Sequence, residues 1–159
     1  MRFLGVDYGR RRIGLAVSDA SGSLARPWRT IDAGQTPRAS AASLTALIAG
    51  EPADGDLSDL NAVVVGLPRR LGGEDNDQTA GAREFARVLG ELTHLVVHLQ
   101  DERLTSHEAD ARLAEREKDW RKRKARLDAA AAAIILQDFL DARVRTAAAG
   151  ADKTPDAGC

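Results

Sequence analysis

Three acidic residues from distant parts of the chain have sequence contexts that suit chemistry: Asp7, Glu102 and Asp128. Asp7 ends an apolar run that begins at Phe3, Glu102 follows another that begins at Leu95, and Asp128 opens an apolar helical face. A buried carboxylate without a partner loses its hydration, so each of these groups needs a cation or hydrogen bonds. Held together, they would raise one another's pKa and require cations between them.

Oxygen ligands alone favour a hard divalent cation, so the expected cofactor is Mg²⁺ or Mn²⁺. Two such ions about 4 Å apart would activate a water molecule and stabilise the leaving oxygen in phosphodiester hydrolysis. The acids therefore predict a two-metal-ion nuclease with Asp7, Glu102 and Asp128 as catalytic metal ligands. For Asp7 alone, a turn cap is the simpler interpretation, because Asp and Gly dominate turns for local reasons.

A basic run lies directly before Asp128. Residues 118–126 contain six basic residues and one acid. Such a run binds phosphate backbones through contacts that are independent of sequence and sensitive to salt. We expect a nucleic-acid partner whose backbone is positioned by Lys122, Lys124 and Arg126, with a solvated helix face as the alternative. Trp120, within the run, either stacks on a base or anchors a loop between helices.

Apolar runs and helical spacings predict the elements that must position these residues. An antiparallel hairpin covers residues 3–7 and 13–17, followed by an edge-like third strand at 25–31. The further predictions are a helix at 36–50, buried strands at 62–66 and 95–99, and helices that include 82–92, 105–117 and 127–142. This order predicts an α/β fold with a mixed five-stranded sheet, three antiparallel strands then parallel ones, and helices on both faces.

The predicted topology brings the acids to one edge. If the first and fourth strands are parallel neighbours, the later strands end at the same sheet edge as Asp7. The last helix then carries Asp128 over that edge, on the face that includes Ala132 and Ile135. Three glycines on or beside the hairpin, Gly5, Gly9 and Gly14, are expected to let a phosphate backbone come close to the sheet.

The composition limits which other classes of function are possible. The 159 residues suit one domain, and the net charge of −1 hides acids clustered at 51–59 and 74–77 and bases at 118–126. Cys159 is the one cysteine, so neither a disulfide nor a cysteine metal site forms within the chain. We expect a cytoplasmic protein without a membrane partner or signal peptide, and a disordered tail over residues 143–159.

Motifs along most of the chain match one known family. They are Val6-Asp7-Tyr8-Gly9, Arg12-Ile13-Gly14, Ala16-Val17-Ser18-Asp19, Val65-Gly66-Leu67-Pro68, Asp101-Glu102-Arg103-Leu104-Thr105, and Lys124 with Asp128, Ala130, Ala131 and Ile134-Ile135-Leu136-Gln137. Over about residues 2–141 the sequence resembles the YqgF/RuvX family. Its members are regarded as Holliday junction resolvases with an RNase H-like fold, and bacterial members are implicated in processing the 5′ end of the 16S ribosomal RNA precursor.

The resemblance implies an RNase H-like nuclease domain over residues 1–142, with the metal site at Asp7, Glu102 and Asp128 and Lys124 facing the substrate. Structured RNA is the implied substrate, and branched DNA is the alternative. Arg12 and Arg103 are further candidates for nucleic-acid contact, although Arg103 could instead pair with a neighbouring carboxylate. RuvC resolvases carry an acid at the tip of the strand that ends here in Gly66-Leu67-Pro68, so Glu102 must take over its role.

Two other classes of protein stay open. Asp7-x-Gly9 also resembles the phosphate loop of ATPases of the actin and sugar-kinase type, but this chain is too short for their two lobes. A nucleic-acid or RNA-polymerase binding module would keep the fold and cut nothing. The sequence is compatible with a monomer or a homodimer, and a two-fold DNA junction would favour the dimer.

Overall fold

The elements follow the predicted order. The computed structural model describes residues 1–50, 57–68, 77–101 and 120–151, with side chains for 1–50, 57–68, 78–101 and 127–150. The described strands and helices are β1 (Arg2–Tyr8), β2 (Arg12–Ser18), β3 (Ala25–Asp32), α1 (Pro37–Ala49), β4 (Leu60–Leu67), α2 (Asp77–Thr93), β5 (Val96–Asp101) and α3 (Trp120–Ala151). The helix predicted at 105–117 lies outside the described residues.

The strands form one mixed sheet in the order β3-β2-β1-β4-β5. β1 pairs antiparallel with β2, and β2 pairs antiparallel with β3. β4 is parallel to both β1 and β5. The predicted five-stranded mixed sheet is therefore confirmed. Pro27 lies in the edge strand β3, opposite Ala16 where the register shifts, and an edge or a bulge is where a missing amide is tolerated.

Helices cover both faces of the sheet, as predicted. Side chains alternate along each strand, so one set packs against α1 and α2 and the other against α3. The first cluster includes Val6, Leu44 and Phe85, and the second includes Phe3, Val64 and Ile135. α1 begins at the predicted cap, where the Thr36 hydroxyl accepts a hydrogen bond from the Ala39 amide at 3.1 Å.

Two sequence predictions about the elements are wrong. The strand at 95–99 was expected to be buried, but β5 is at the edge of the described sheet, where Val96 is 61% exposed. The last helix was expected to cover 127–142, but α3 begins at Trp120 and continues to Ala151. The predicted tail therefore starts as helix, with exposed residues from 143 to 150, and residues 152–159 lie outside the described chain.

α3 is fastened to the edge of the sheet by Gln137. Its side-chain oxygen accepts a hydrogen bond from the Ala25 amide at 2.8 Å, and its amide group donates to the Ser23 carbonyl at 3.0 Å. These bonds satisfy backbone groups at the start of β3 and in the turn before it. They hold the middle of α3 in a fixed position relative to the sheet.

Asp19, which belongs to one of the family motifs, has a structural role in the turn after β2. Its carboxylate accepts hydrogen bonds from the Ser21 hydroxyl at 2.7 Å and from the amides of Ser23 and Leu24 at 2.8 and 3.1 Å. Since these donors stabilise the charged form, they lower the pKa of Asp19 to about 2.

Candidate active site

Asp7 lies near the carboxyl end of β1, half-buried, on the sheet face that α3 covers. The alternation of β1 fixes this face, because Phe3 packs in the α3 cluster and Gly5 lies under α3 two residues before Asp7. Gly14 of β2 is directly opposite Asp7, and the register that pairs Val6 with Val65 brings Gly66 alongside on β4. Asp7 is therefore a carboxylate flanked by glycines.

α3 places the backbone of Asp128 directly on Gly14. A Cβ atom at Gly14 would lie 1.9 Å from the carbonyl oxygen of Asp128 and 2.9 Å from the amide nitrogen of Ala129. Directly opposite residues of an antiparallel pair are about 5 Å apart. Gly14 thus joins the two acids: Asp7 is its neighbour across the sheet, and Asp128 is its neighbour from the helix.

The glycines do not serve the purpose that the sequence suggested. Gly5 and Gly14 were expected to admit a phosphate backbone, but the helix α3 occupies that space. At Gly5 a Cβ would lie 2.7 Å from Cβ of Leu136 and 2.8 Å from the carbonyl oxygen of Ala132. At Gly9 it would lie 2.5 Å from the carbonyl oxygen of Arg12, within the turn between β1 and β2. Close packing of the fold, and not ligand approach, accounts for these residues.

Arg12 forms an ion pair with Asp128. Its Nε donates to Oδ2 of Asp128 at 3.0 Å, and the side chains are 28% and 24% exposed. The sequence assigned Arg12 to nucleic-acid contact, but its partner in this structure is one of the three candidate acids. A partly buried, charge-assisted hydrogen bond of this length fixes the orientation of the carboxylate more firmly than an exposed pair would.

The described residues bring together two of the three predicted acids. Glu102 lies outside them, as does Arg103; in sequence, Glu102 directly follows Asp101, the half-buried last residue of β5. Within the described ranges no group of three potential ligands is close enough to hold a metal ion. Asp7 and Asp128 nevertheless supply the oxygen donors that a hard divalent cation prefers, at the sheet edge where β1, β4 and β5 all end.

Residues 120–126 of the basic run lie in the described part of α3. Trp120 is the first residue of the described part of this helix. At about 100° per residue, Lys124 and Arg121 share a helical face with Asp128, whereas Lys122 and Arg126 lie roughly on the opposite side. Arg121 belongs to the same basic run, and steps of three and four back from Asp128 place it on this face beside Lys124.

A groove with a volume of about 560 Å³ opens beside the site, between β5 and the second half of α3. Its polar lining includes Gln100 and Arg143, and its apolar lining includes Phe139. Gln100 pairs in register with Gly66, so the groove lies on the same sheet face as Asp7, two strands away.

The fold and this acidic edge define the class of the protein. A mixed sheet in this order, with two acids meeting on β1 and on a helix that crosses it, is the RNase H-like fold. The solved structure of T. thermophilus RuvC in complex with Holliday junction substrate shares it, with a TM-score of 0.52 and 17% identity over 92% of this chain and 97% of that chain.

The chain belongs to the RuvX family. The family model described as "RuvX: Holliday junction resolvase" matches residues 1–142. A relative in Koribacter versatilis, named "Putative pre-16S rRNA nuclease", is 42% identical over 142 residues, which cover 89% of this chain and 88% of the relative. An Anaeromyxobacter relative with the same name is 40% identical over 143 residues, 90% of this chain and 98% of its own.

These comparisons argue against the sugar-kinase alternative, because the match to one nuclease family spans nearly the whole described chain. Among the described residues, no helix is both long and apolar enough to cross a membrane.

Proposed function

We propose that the protein is a divalent-cation-dependent nuclease that hydrolyses a phosphodiester bond at the 5′ end of the 16S ribosomal RNA precursor in the cytoplasm. The observation that carries the proposal is the meeting of Asp7 and Asp128 across Gly14, in a chain of the RuvX family. The names of the relatives favour this RNA substrate. The family description favours branched DNA as the second candidate.

Asp7, Asp128 and Glu102 would hold one or two Mg²⁺ or Mn²⁺ ions. Glu102 is included because it follows the carboxyl end of β5, which is parallel to β4 and so ends on the same side of the sheet as β1. When bound, such a cation would activate the attacking water and neutralise the charge that develops on the phosphate. The protein itself would orient the metal ligand Asp128. Gly14 allows the backbone of Asp128 to pack closely on β2, and the Arg12 guanidinium fixes the orientation of its carboxylate.

The basic first turns of α3 would bind the substrate backbone. Six basic residues within residues 118–126, in a chain whose net charge is −1, favour an anionic partner for this segment. The partner would be held where the same helix carries Asp128 over the sheet edge. Arg103 follows Glu102 in sequence and stays a candidate for a further phosphate contact.

Position on the helix predicts which basic residues matter most. We expect Lys124→Gln and Arg121→Gln to weaken substrate binding about tenfold each and to reduce the salt dependence by about one ion, since each removes one phosphate contact. The matched variants Lys122→Gln and Arg126→Gln, with the same loss of charge on the opposite helical face, should change binding less than threefold, a smaller effect of long-range charge. Titration of a fluorescent RNA at several salt concentrations measures both quantities. Equal losses in all four variants would contradict the assignment of a face.

The substrate is tested by offering both candidates to one preparation. A transcript with the 5′ leader of the 16S precursor and a four-way DNA junction are incubated with wild-type protein and Mg²⁺ or Mn²⁺, with chelator added to a parallel sample. We expect cleavage of the RNA at one position, lost with chelator and lost in Asp7→Asn purified in the same way. Cleavage of the junction alone would instead establish branched DNA as the substrate.

The binding-module alternative makes a different prediction for the same experiment. If wild type and Asp7→Asn bind the RNA equally well and neither cuts either substrate, the proposed nuclease function fails for the isolated protein.

A further inference from the structure

Arg12 is held in place at the corner of the candidate site. Its backbone belongs to the tight turn in which Gly9 packs against the Arg12 carbonyl, and its side chain reaches Asp128 at 3.0 Å. Asp128 is fixed from the other side, because the α3 backbone rests on Gly14. Because the backbone of each partner is fixed independently, the fold itself maintains this ion pair.

A second carboxylate lies on the other side of Arg12. The register of β2 and β3 places Asp32 directly opposite Arg12, at the exposed end of β3. Residues opposite each other across an antiparallel pair project to the same face, with their Cβ atoms about 5 Å apart. Arg12 therefore stands between Asp128 on the helix and Asp32 on the neighbouring strand, and in this structure its ion pair is with Asp128.

This arrangement has a consequence for the metal site, given the proposed function. Asp7 and Asp128 repel each other when no cation is bound, and the Arg12 guanidinium supplies a positive charge beside them. A divalent cation that binds Asp128 competes with this guanidinium for the carboxylate. The two positive charges also repel each other. Asp32 offers the guanidinium a new acceptor within reach of a side-chain rotation.

We propose that Arg12 is a positioning residue that holds Asp128 in the metal-free protein and is transferred to Asp32 when a divalent cation binds. The proposal rests on the assignment of Asp7 and Asp128 to the metal site. It assigns Asp32 a function in the site, and it gives Arg12 a role other than contact with the substrate backbone.

The test compares metal-free stability with cation affinity. Arg12→Gln should lower the midpoint of thermal unfolding in chelator by several degrees, because Asp128 loses its ion pair with Arg12. The same variant should bind Mn²⁺ about tenfold more tightly in calorimetric titration, the size expected when one unit charge a few Å from a divalent ion is removed. Asp32→Asn should leave metal-free unfolding unchanged and bind Mn²⁺ several-fold more weakly, because the displaced guanidinium then meets a neutral acceptor in place of a charged one.

Arg11 and a conservative substitution provide the controls. Arg11 is exposed and next to Arg12 in the same turn, so Arg11→Gln matches the loss of charge and should change neither quantity. Arg12→Lys keeps the charge and should stay close to wild type in Mn²⁺ affinity.

The outcomes separate this proposal from the proposed function. Unchanged or weaker Mn²⁺ binding by Arg12→Gln, with wild type still cleaving substrate, would overturn the role of Arg12 and leave the nuclease assignment standing. Failure of every variant and of wild type to bind Mn²⁺ would overturn both.

Discussion

Gly14→Ala is expected to destabilise the protein by about 3 kcal/mol or more, because an added methyl group would overlap the backbone of α3. The new Cβ would lie 1.9 Å from the Asp128 carbonyl oxygen, and a backbone atom cannot rotate away as a side chain can. The helix must therefore lift from the sheet over β2. For a domain of this size, a loss of about 3 kcal/mol lowers the unfolding midpoint by roughly 6–12 °C.

The same substitution should also abolish cleavage, because Asp128 moves together with the helix. Gly81→Ala is the matched control: its Cβ would lie 3.6 Å from Cε1 of Tyr8, an ordinary contact, in the helix α2. Alanine is a better helix former than glycine, so this control should gain up to about 1 kcal/mol. Urea unfolding followed by circular dichroism measures both. A Gly14→Ala protein that unfolds at the wild-type urea concentration would show that α3 does not rest on Gly14.

The glycines also show how much of the fold could be predicted from the sequence. A glycine in a strand predicts that something approaches the backbone closely, and this holds at Gly5 and Gly14. The sequence does not say what approaches, because the helix that does so comes more than a hundred residues later in the chain. The parallel direction of the later strands could be predicted, since a helical crossover connects parallel strands. The position of β4 was only assumed, because it pairs with β1 and not with β3, the strand that precedes it in the chain.

The wrong predictions have physical reasons of the same kind. The segment 95–99, with four apolar residues and one histidine, suits a strand buried on both faces, but burial depends on a further neighbour, which β5 does not have in the described sheet. The sequence predicts that the last helix ends near Ala142, because its apolar period stops there. Alanine needs no packed face to stay helical, so intrinsic propensity extends α3 through Ala151.

Within the candidate site, the sequence singles out the acids but not the groups that pack around them. Asp7 and Asp128 stood out because each is a charge at the end of an apolar pattern. The pairing of Arg12 with Asp128 depends on where α3 crosses β2, which no local pattern encodes. The same holds for Asp32, whose position beside Arg12 follows from the register of β2 and β3.

Removal of either acid should lower the cleavage rate strongly, but the two variants should differ in stability. We expect Asp7→Asn and Asp128→Asn each to lower the cleavage rate on the order of a thousandfold or more, because an amide replaces a charged metal ligand. Their stabilities should differ. Asn at position 7 keeps the shape of Asp and one acceptor oxygen, so unfolding should stay within about 1 kcal/mol of wild type. Asn at position 128 turns the ion pair with Arg12 into a weaker hydrogen bond, which should cost about 1–3 kcal/mol.

Asp141→Asn is the control for both measurements, because Asp141 is exposed on the same helix and its carboxylate accepts from Gln137 instead of facing the sheet edge. It should cleave at the wild-type rate. The variants are compared by single-turnover cleavage of the identified substrate and by urea unfolding in chelator. Wild-type cleavage by Asp7→Asn would exclude this acid from the site. Equal stability of Asp7→Asn and Asp128→Asn would mean that Arg12 contributes no more to one carboxylate than to the other. The predicted split follows from the ion pair, since Arg12 donates directly to Asp128, whereas Asp7 lies on β1 opposite Gly14.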